Sequence, residues 1–281
     1  MDPVDDLKHF SALVKRFKAS TNTLISNSFL LPDQITHYTQ QKTLFVTDLN
    51  DGIGFLIDTG DFYQLNFYLA GKEPIEFSRK DKPVVIHFVN RDNVRPDPWE
   101  ETEARWIKSG FSQYKSNKRM SLQICSELGT INDIIRINDV DCPIAVLGSQ
   151  QPAQDYQLDE LIALWRSTLD IYSNAIPSLE ELRVLGDAKQ ILCILGQKGH
   201  VIGALHFQTG KKVSTIQYVA VDQKFRRLGL ARHMVQFCMT HATDIRQYVL
   251  WVDVNNIAAI NLYTGLGFTF DGMYSNQLIL F

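Results

Sequence analysis

The stretch Asp222-Gln223-Lys224-Phe225-Arg226-Arg227-Leu228-Gly229-Leu230-Ala231-Arg232 lies between an apolar run, VSTIQYVAV (213–221), and a helical pattern from Leu230 to Thr240. A strand that passes through a tight basic turn straight into a helix aims free backbone N–H groups, and the positive end of the helix dipole, at one point. That geometry suits a pyrophosphate. Gly229 lets the backbone approach an anion with no Cβ in the way, Ala231 keeps the first helical turn slim, and Arg226, Arg227 and Arg232 add positive charge. Taken alone, the turn reads equally well as an ordinary strand-to-helix connection with solvated arginines.

Its neighbours tip the balance. Arg226-x-x-Gly229-x-Ala231 resembles the Arg/Gln-x-x-Gly-x-Gly/Ala signature of the GNAT superfamily of acyl-CoA-dependent N-acyltransferases, with Val219 and Val221 where that family has its Leu-x-Val strand end. Further on, Leu250-x-Val252-x-x-x-Asn256-x-x-Ala259-x-x-Leu262-Tyr263-x-x-x-Gly267-Phe268 resembles the family's second motif. The resemblance covers roughly residues 143 to 281. It implies coenzyme A or acetyl-CoA as co-substrate and no metal. Val219, Ala220 and Val221 would offer a backbone edge to the pantetheine arm, and Arg226, Arg227, Leu228, Gly229, Leu230, Ala231 and Arg232 would hold the pyrophosphate. Asn256 would bond the pantetheine or adenine end, and Tyr263 would serve as general acid toward the expelled thiolate. The plainer readings are a buried helix aromatic for Tyr263 and a helix N-cap for Asn256, the latter compatible with both roles.

A general base is missing from the place the resemblance assigns it, because the inward candidates on the preceding strand are Thr215, Gln217 and Val219, none of which titrates usefully. His206 and Asp253 are the substitutes, though a satisfied strand histidine and an outward-facing carboxylate are the first readings of each. Gln223 replaces the family's proline, and Ala231 its second glycine.

The remainder of the second half reads as a strand at CPIAVLG, a helix at YQLDELIALWRSTLDIY, a capping box from Ser178 to Glu181 opening another helix, and the strands QILCILG and VIGALHFQT around a turn at 197–200. In the first half, Leu7, Phe10, Leu13, Val14 and Phe17 mark an amphipathic helix, and TLFVTDL, IGFLIDT and FYQLNFYLA form a meander with turn signals between them. KPVVIHFVN is a further strand, Pro98 to Ser109 a helix, and FSQYKSNKRMSLQI a strand whose stretch Lys115 to Arg119 reads as a solvated face on a sheet edge. Gly52-Ile53-Gly54 belongs to a hairpin.

The halves repeat one another. VVIHFVN, a helix, Gly110-Phe111 and a strand parallel VLWVDVN, a helix, Gly267-Phe268 and a strand, whereas GKEPIEFSRKDK (71–82) has no counterpart of the phosphate signature. The expectation is therefore an α+β fold with a mixed, mostly antiparallel sheet in tandem acyltransferase-like domains. Residues 1–128 form a degenerate structural or substrate-selecting copy, 129–142 a linker, and 143–281 the catalytic domain.

Composition agrees. The chain has 281 residues, 45% hydrophobic and 21% charged, which is globular, and a formal net charge of −3 supplies no cationic field for nucleic acid or an anionic membrane. No leader pattern and no apolar run of about 20 residues occurs, so the expected setting is the cytoplasm. Cys125, Cys142, Cys193 and Cys238 lack any Cys-x-x-Cys spacing and read as reduced thiols, with Cys238 core rather than acyl carrier. A Gly-x-x-x-x-Gly-Lys-Ser/Thr loop is absent. The functional expectation is an N-acetyltransferase with a small-molecule or amino-acid-like amine acceptor, as monomer or homodimer; the alternative is a non-catalytic acyl-CoA-binding regulator.

Overall fold

The computed structural model describes residues 1–71, 73–92, 99–124, 134–137, 140–147, 155–241 and 244–281. Along the chain run β1 (Asp2–Pro3), α1 (Leu7–Ala19), β2 (Ile25–Ser26), α2 (Pro32–Gln40), β3 (Leu44–Leu49), β4 (Gly52–Asp58), β5 (Tyr63–Leu69), β6 (Val84–Arg91), α3 (Glu100–Lys108) and β7 (Ser112–Gln123). There follow β8 (Ile134–Ile137), β9 (Val140–Val146), α4 (Asp155–Thr168), α5 (Leu179–Asp187), β10 (Ile191–Leu195), β11 (Val201–Thr209), β12 (Val213–Val221), α6 (Leu230–His241), β13 (Gln247–Asp253), α7 (Ile257–Thr264) and β14 (Thr269–Leu280).

Two compact units emerge, the first discontinuous in sequence and the second continuous: residues 1–116 with 273–281, and residues 117–272. In the first unit β1, β3, β4 and β5 are antiparallel neighbours, and β5 then pairs parallel with β6 from Tyr63↔Val84 to Leu65↔Ile86. Beyond Leu65 the two strands part and leave a fork. Residues 273–280 of β14 close the sheet antiparallel to β6. Asp6 starts α1 by accepting a hydrogen bond from His9 N at 2.7 Å, and α1 and α2 bury Phe10 and Ile35 against Phe55 on one face. On the other, Trp106 of α3 packs against Phe67 and Phe111 at ring distances of 5.4 and 5.2 Å.

The second unit repeats the plan. Strands β8 to β12 are antiparallel neighbours, β12 pairs parallel with β13 from Val213↔Gln247 to Ile216↔Leu250, and the strands then part. Residues 117–123 of β7 close this sheet antiparallel to β13. One face buries Met234 and Cys238 of α6 and Tyr263 of α7 with Leu250 and Phe268; the other buries Leu161 and Trp165 of α4 and Leu182 of α5 against Ala204 and Ala220. Ser178 and Glu181 cap α5 reciprocally, as their spacing predicts.

Three expectations change. Each half was expected to end with its own closing strand, but β7 closes the second unit and β14 the first, so the division falls at 116/117 and 272/273 rather than once near 128. Arg119 does not lie on a solvated edge: it stands opposite Trp251 in the β7–β13 ladder, with its Nε on Asp271 at 2.7 Å. Within the expected linker 129–142, residues 134–137 and 140–143 form a hairpin, and 129–133 lie outside the described residues, as does Cys125. The short helix α2, opened by Pro32 at its first turn, had no counterpart in the sequence reading.

Candidate functional site

The site lies in the second unit, where β12 leaves β13. Strand β11 covers one edge of β12 through Leu205↔Val219, Ala204↔Ala220 and Gly203↔Val221. A bulge sets His206 opposite Tyr218 and Phe207 opposite Ile216, leaving Gln217 as the extra residue just where the parallel pairing stops. On the other edge, Val219, Ala220 and Val221 have no strand partner among the described residues. An unpaired edge of this kind can take an extended ligand as one more strand.

That edge leads through a single 3₁₀ turn, Gln223–Phe225, to Arg226 and on into α6. Asp222 holds the turn by accepting from Lys224 N at 2.8 Å. Gly229 has φ +80°, and a Cβ built there would meet nothing within 4 Å, so open space lies where the sequence places an anion. Arg227 also has positive φ, 67°, a conformation L residues adopt reluctantly and one that concentrates at ligand-binding turns. The first amides of α6 lack intrahelical partners by the geometry of any helix start. Arg226 folds its Nε back onto Val221 O at 3.1 Å, and Arg232 places Nη2 on Gly265 O at 3.1 Å, tying the start of α6 to the end of α7. Leu228 is exposed beside the turn.

Asn256 caps α7, its Oδ1 accepting from Ala259 N at 3.1 Å. Tyr263 lies on the same helix, 7% exposed, with its ring 5.9 Å from that of Phe268. Burial pushes its hydroxyl up to about 12, so the phenol keeps its proton throughout the neutral range.

The two base candidates part company here. Asp253 accepts from Asn255 N at 2.8 Å and organises the turn into α7. His206 is 9% exposed, packed between Trp165 (6.3 Å) and Tyr218 (5.4 Å), and neither ring nitrogen has a hydrogen-bond partner among the described residues. Burial holds its pKa down at about 4, which keeps the imidazole neutral with a lone pair to offer. Trp165 and the loop carbonyl of Ala175, which accepts from the Tyr218 hydroxyl at 2.7 Å, escaped the sequence reading because helix periodicity marks a buried face without telling what else it meets. A cavity of about 1290 Å³ opens beside the turn, lined by Ala163 and Leu164 of α4 and by Asp222 to Arg226. Cys193 and Cys238 are buried and their thiols pushed up to about 12, which leaves them unreactive.

Residues 156–268 match the family model described as Acetyltransferase (GNAT) family. This stretch is a GNAT domain. It contains the turn, Asn256 and Tyr263. Among solved structures, the chain resembles a GCN5-related N-acetyltransferase from Sphaerobacter thermophilus, with TM-score 0.54 and 12% identity over 82% of this chain and 76% of that one. It also resembles a GNAT-family acetyltransferase from Colwellia psychrerythraea, with TM-score 0.51 and 12% identity over 100% of this chain and 99% of that one. At such identities the likeness concerns the fold alone, and it extends over both units. No curated protein sequence matches the chain. Among the described residues no helix is long and apolar enough to cross a membrane, and no cluster of His, Cys, Asp or Glu could hold a metal ion.

Proposed function

We propose that this protein transfers an acyl group, most simply acetyl, from acetyl-CoA to the nitrogen of a small primary amine by direct attack. The observation that carries the reading is the continuous path in the second unit from an unpaired strand edge, Val219–Val221, to a helix start left open by Gly229. An extended pantetheine arm can pair with the first and a pyrophosphate can accept from the amides of the second.

Held there, the thioester carbonyl is polarised by a strand-edge N–H, and proximity supplies most of the remaining advantage. The amine nitrogen forms a bond to the carbonyl carbon, the carbon–sulfur bond breaks, and the proton that nitrogen loses ends on sulfur. Tyr263 hydrogen-bonds the leaving thiolate. His206 is the group left to receive the proton from nitrogen, directly or through water. With its pKa near 4 it is a feeble base, so the acceptor has to arrive as the free amine, and kcat/KM should climb with pH toward the amine's own pKa. Asn256 and the arginines of the turn hold the coenzyme.

Calorimetric titration with acetyl-CoA and coenzyme A, followed by thiol release in the presence of an amine panel, tests the proposal. Saturable binding with turnover supports it. Binding without turnover on any amine favours a regulatory acyl-CoA binder, the reading to which the lack of a titratable group at Thr215, Gln217 and Val219 would then point.

A further inference from the structure

The first unit has a fork of its own, and it is filled. Strand β4 covers one edge of β5 along its whole length, from Asp58↔Tyr63 to Gly52↔Leu69. The other edge pairs with β6 only as far as Leu65↔Ile86, and past that point β2 takes over, with Ser26 opposite Tyr68 and Ile25 opposite Leu69. Because β4 already holds the first edge, β2 lies on the side where β6 has turned away. Asn27, 5% exposed, completes the closure. Its side-chain amide donates to Leu65 O at 3.2 Å on β5 and to His87 O at 3.1 Å on β6, while its Oδ1 accepts from Phe67 N at 2.7 Å. The Oγ1 atoms of Thr21 and Thr23 both donate to Ala70 O at the end of the same edge.

We propose that residues 25–27 occupy in cis the groove that an amide-bearing thiol arm would otherwise enter, so that the first fork is a strand-accepting site filled by its own chain and one acyl-CoA binds per polypeptide. The chemistry matches: a pantetheine arm carries two amides on an extended chain, and here an extended backbone and one carboxamide satisfy the same kind of edge. The segment comes from the connection between α1 and α2. The corresponding connection in the second unit, between α4 and α5, reaches β12 through Ala175 O, which accepts from the Tyr218 hydroxyl, and leaves the edge of Val219–Val221 away from β11 without a strand partner among the described residues. The inference rests on the coenzyme reading of the second fork only for the count of one.

Two measurements on the full chain test it. Calorimetry with coenzyme A and with acetyl-CoA should give one site per chain, and none in Gly229→Asp. Two sites, or saturable binding that survives in Gly229→Asp, would overturn it. Hydrogen exchange should show the Phe67 amide protected equally with and without saturating coenzyme A, while the Val219–Val221 segment gains protection only with it. Coenzyme-dependent protection at residues 65–69 would also overturn the proposal. Asn27→Asp, which cannot donate to Leu65 O and His87 O, should speed exchange at Phe67 at least tenfold; an unchanged rate would show that Asn27 does not close the fork. If neither ligand binds the wild-type chain, the proposed function fails, while exchange at Phe67 in the free protein still decides whether the fork is closed.

Discussion

The two units leave their forks by different exits. In the second, β12 runs into a short turn and the start of α6, with Gly229 at φ +80° and open space in front of it. In the first, β5 runs into residues 70–83, which contain no helix among those described and bend back on themselves. There Arg105 of α3, 7% exposed, gives its Nε to Glu73 O at 2.9 Å and its Nη1 to Gly71 O at 2.8 Å, and its Nη2 forms an ion pair with Asp51. Both exits thus gather N–H donors near the end of the middle strand. In the first unit those donors are taken by the loop's own carbonyls and a buried carboxylate; in the second, Arg226 and Arg232 each bond a backbone carbonyl, and the first amides of α6 are left without intrahelical partners. A shared topology therefore specifies where donors collect, and the side chains of the exit decide whether a ligand can use them.

The comparison can be broken most forcefully at Gly229. Gly229→Asp sets a side chain and a negative charge in the open space, at a φ that Asp tolerates better than most residues, and should weaken coenzyme A at least a thousandfold in calorimetry with the thermal midpoint nearly unchanged. Retained affinity would mean that the second exit does not receive the anion. Removing the first exit's donor acts on stability instead. Arg105→Met strips a buried carboxylate of its partner and should cost about 3–5 kcal/mol in urea unfolding, with coenzyme affinity intact where the chain stays folded.

A third prediction follows from His206, whose folded pKa of about 4 lies below the ordinary 6.5. The unfolded chain binds the proton more readily, so this contribution to stability is complete above pH 6.5 and falls away as pH drops toward 4, by at most about 3 kcal/mol. Denaturation measured across that range should show the slope, and His206→Gln should reduce it, leaving the part supplied by buried His87, whose pKa burial likewise holds at about 4. Finest of all, Tyr263→Phe should lower kcat about tenfold, equivalent to about 1.4 kcal/mol, with coenzyme affinity within twofold of wild type. An unaltered kcat would leave Tyr263 a core aromatic.

Much of the second unit is legible in the sequence because its signals are local: an apolar run, a turn with one glycine, an N-cap at Asn256, a capping box at Ser178. What escapes is whatever depends on partners far along the chain. Both SQYKSNKRMSLQ and TFDGMYSNQLIL follow a helix and a Gly-Phe pair, and the alternation of a strand records which face is buried but not which neighbour it joins, so the exchange of closing strands leaves no mark. Asn27 sits in a run of Ser and Asn that reads as a turn, and Arg105 in EETEARWIK looks like any solvated helix charge. Helix α2 buries only Ile35, too little for a period to show.

The exchange of closing strands also bears on how the protein comes to be made. Residues 273–280 are synthesised long after residues 1–116, yet they complete the sheet of that unit, whereas residues 117–123 are already at hand when β13 is translated. The first unit therefore waits, with the flank of β6 bare, until residues 273–280 have left the ribosome. The unit carrying Gly229 can close first, and deleting residues 273–280 would injure the unit built from residues 1–116.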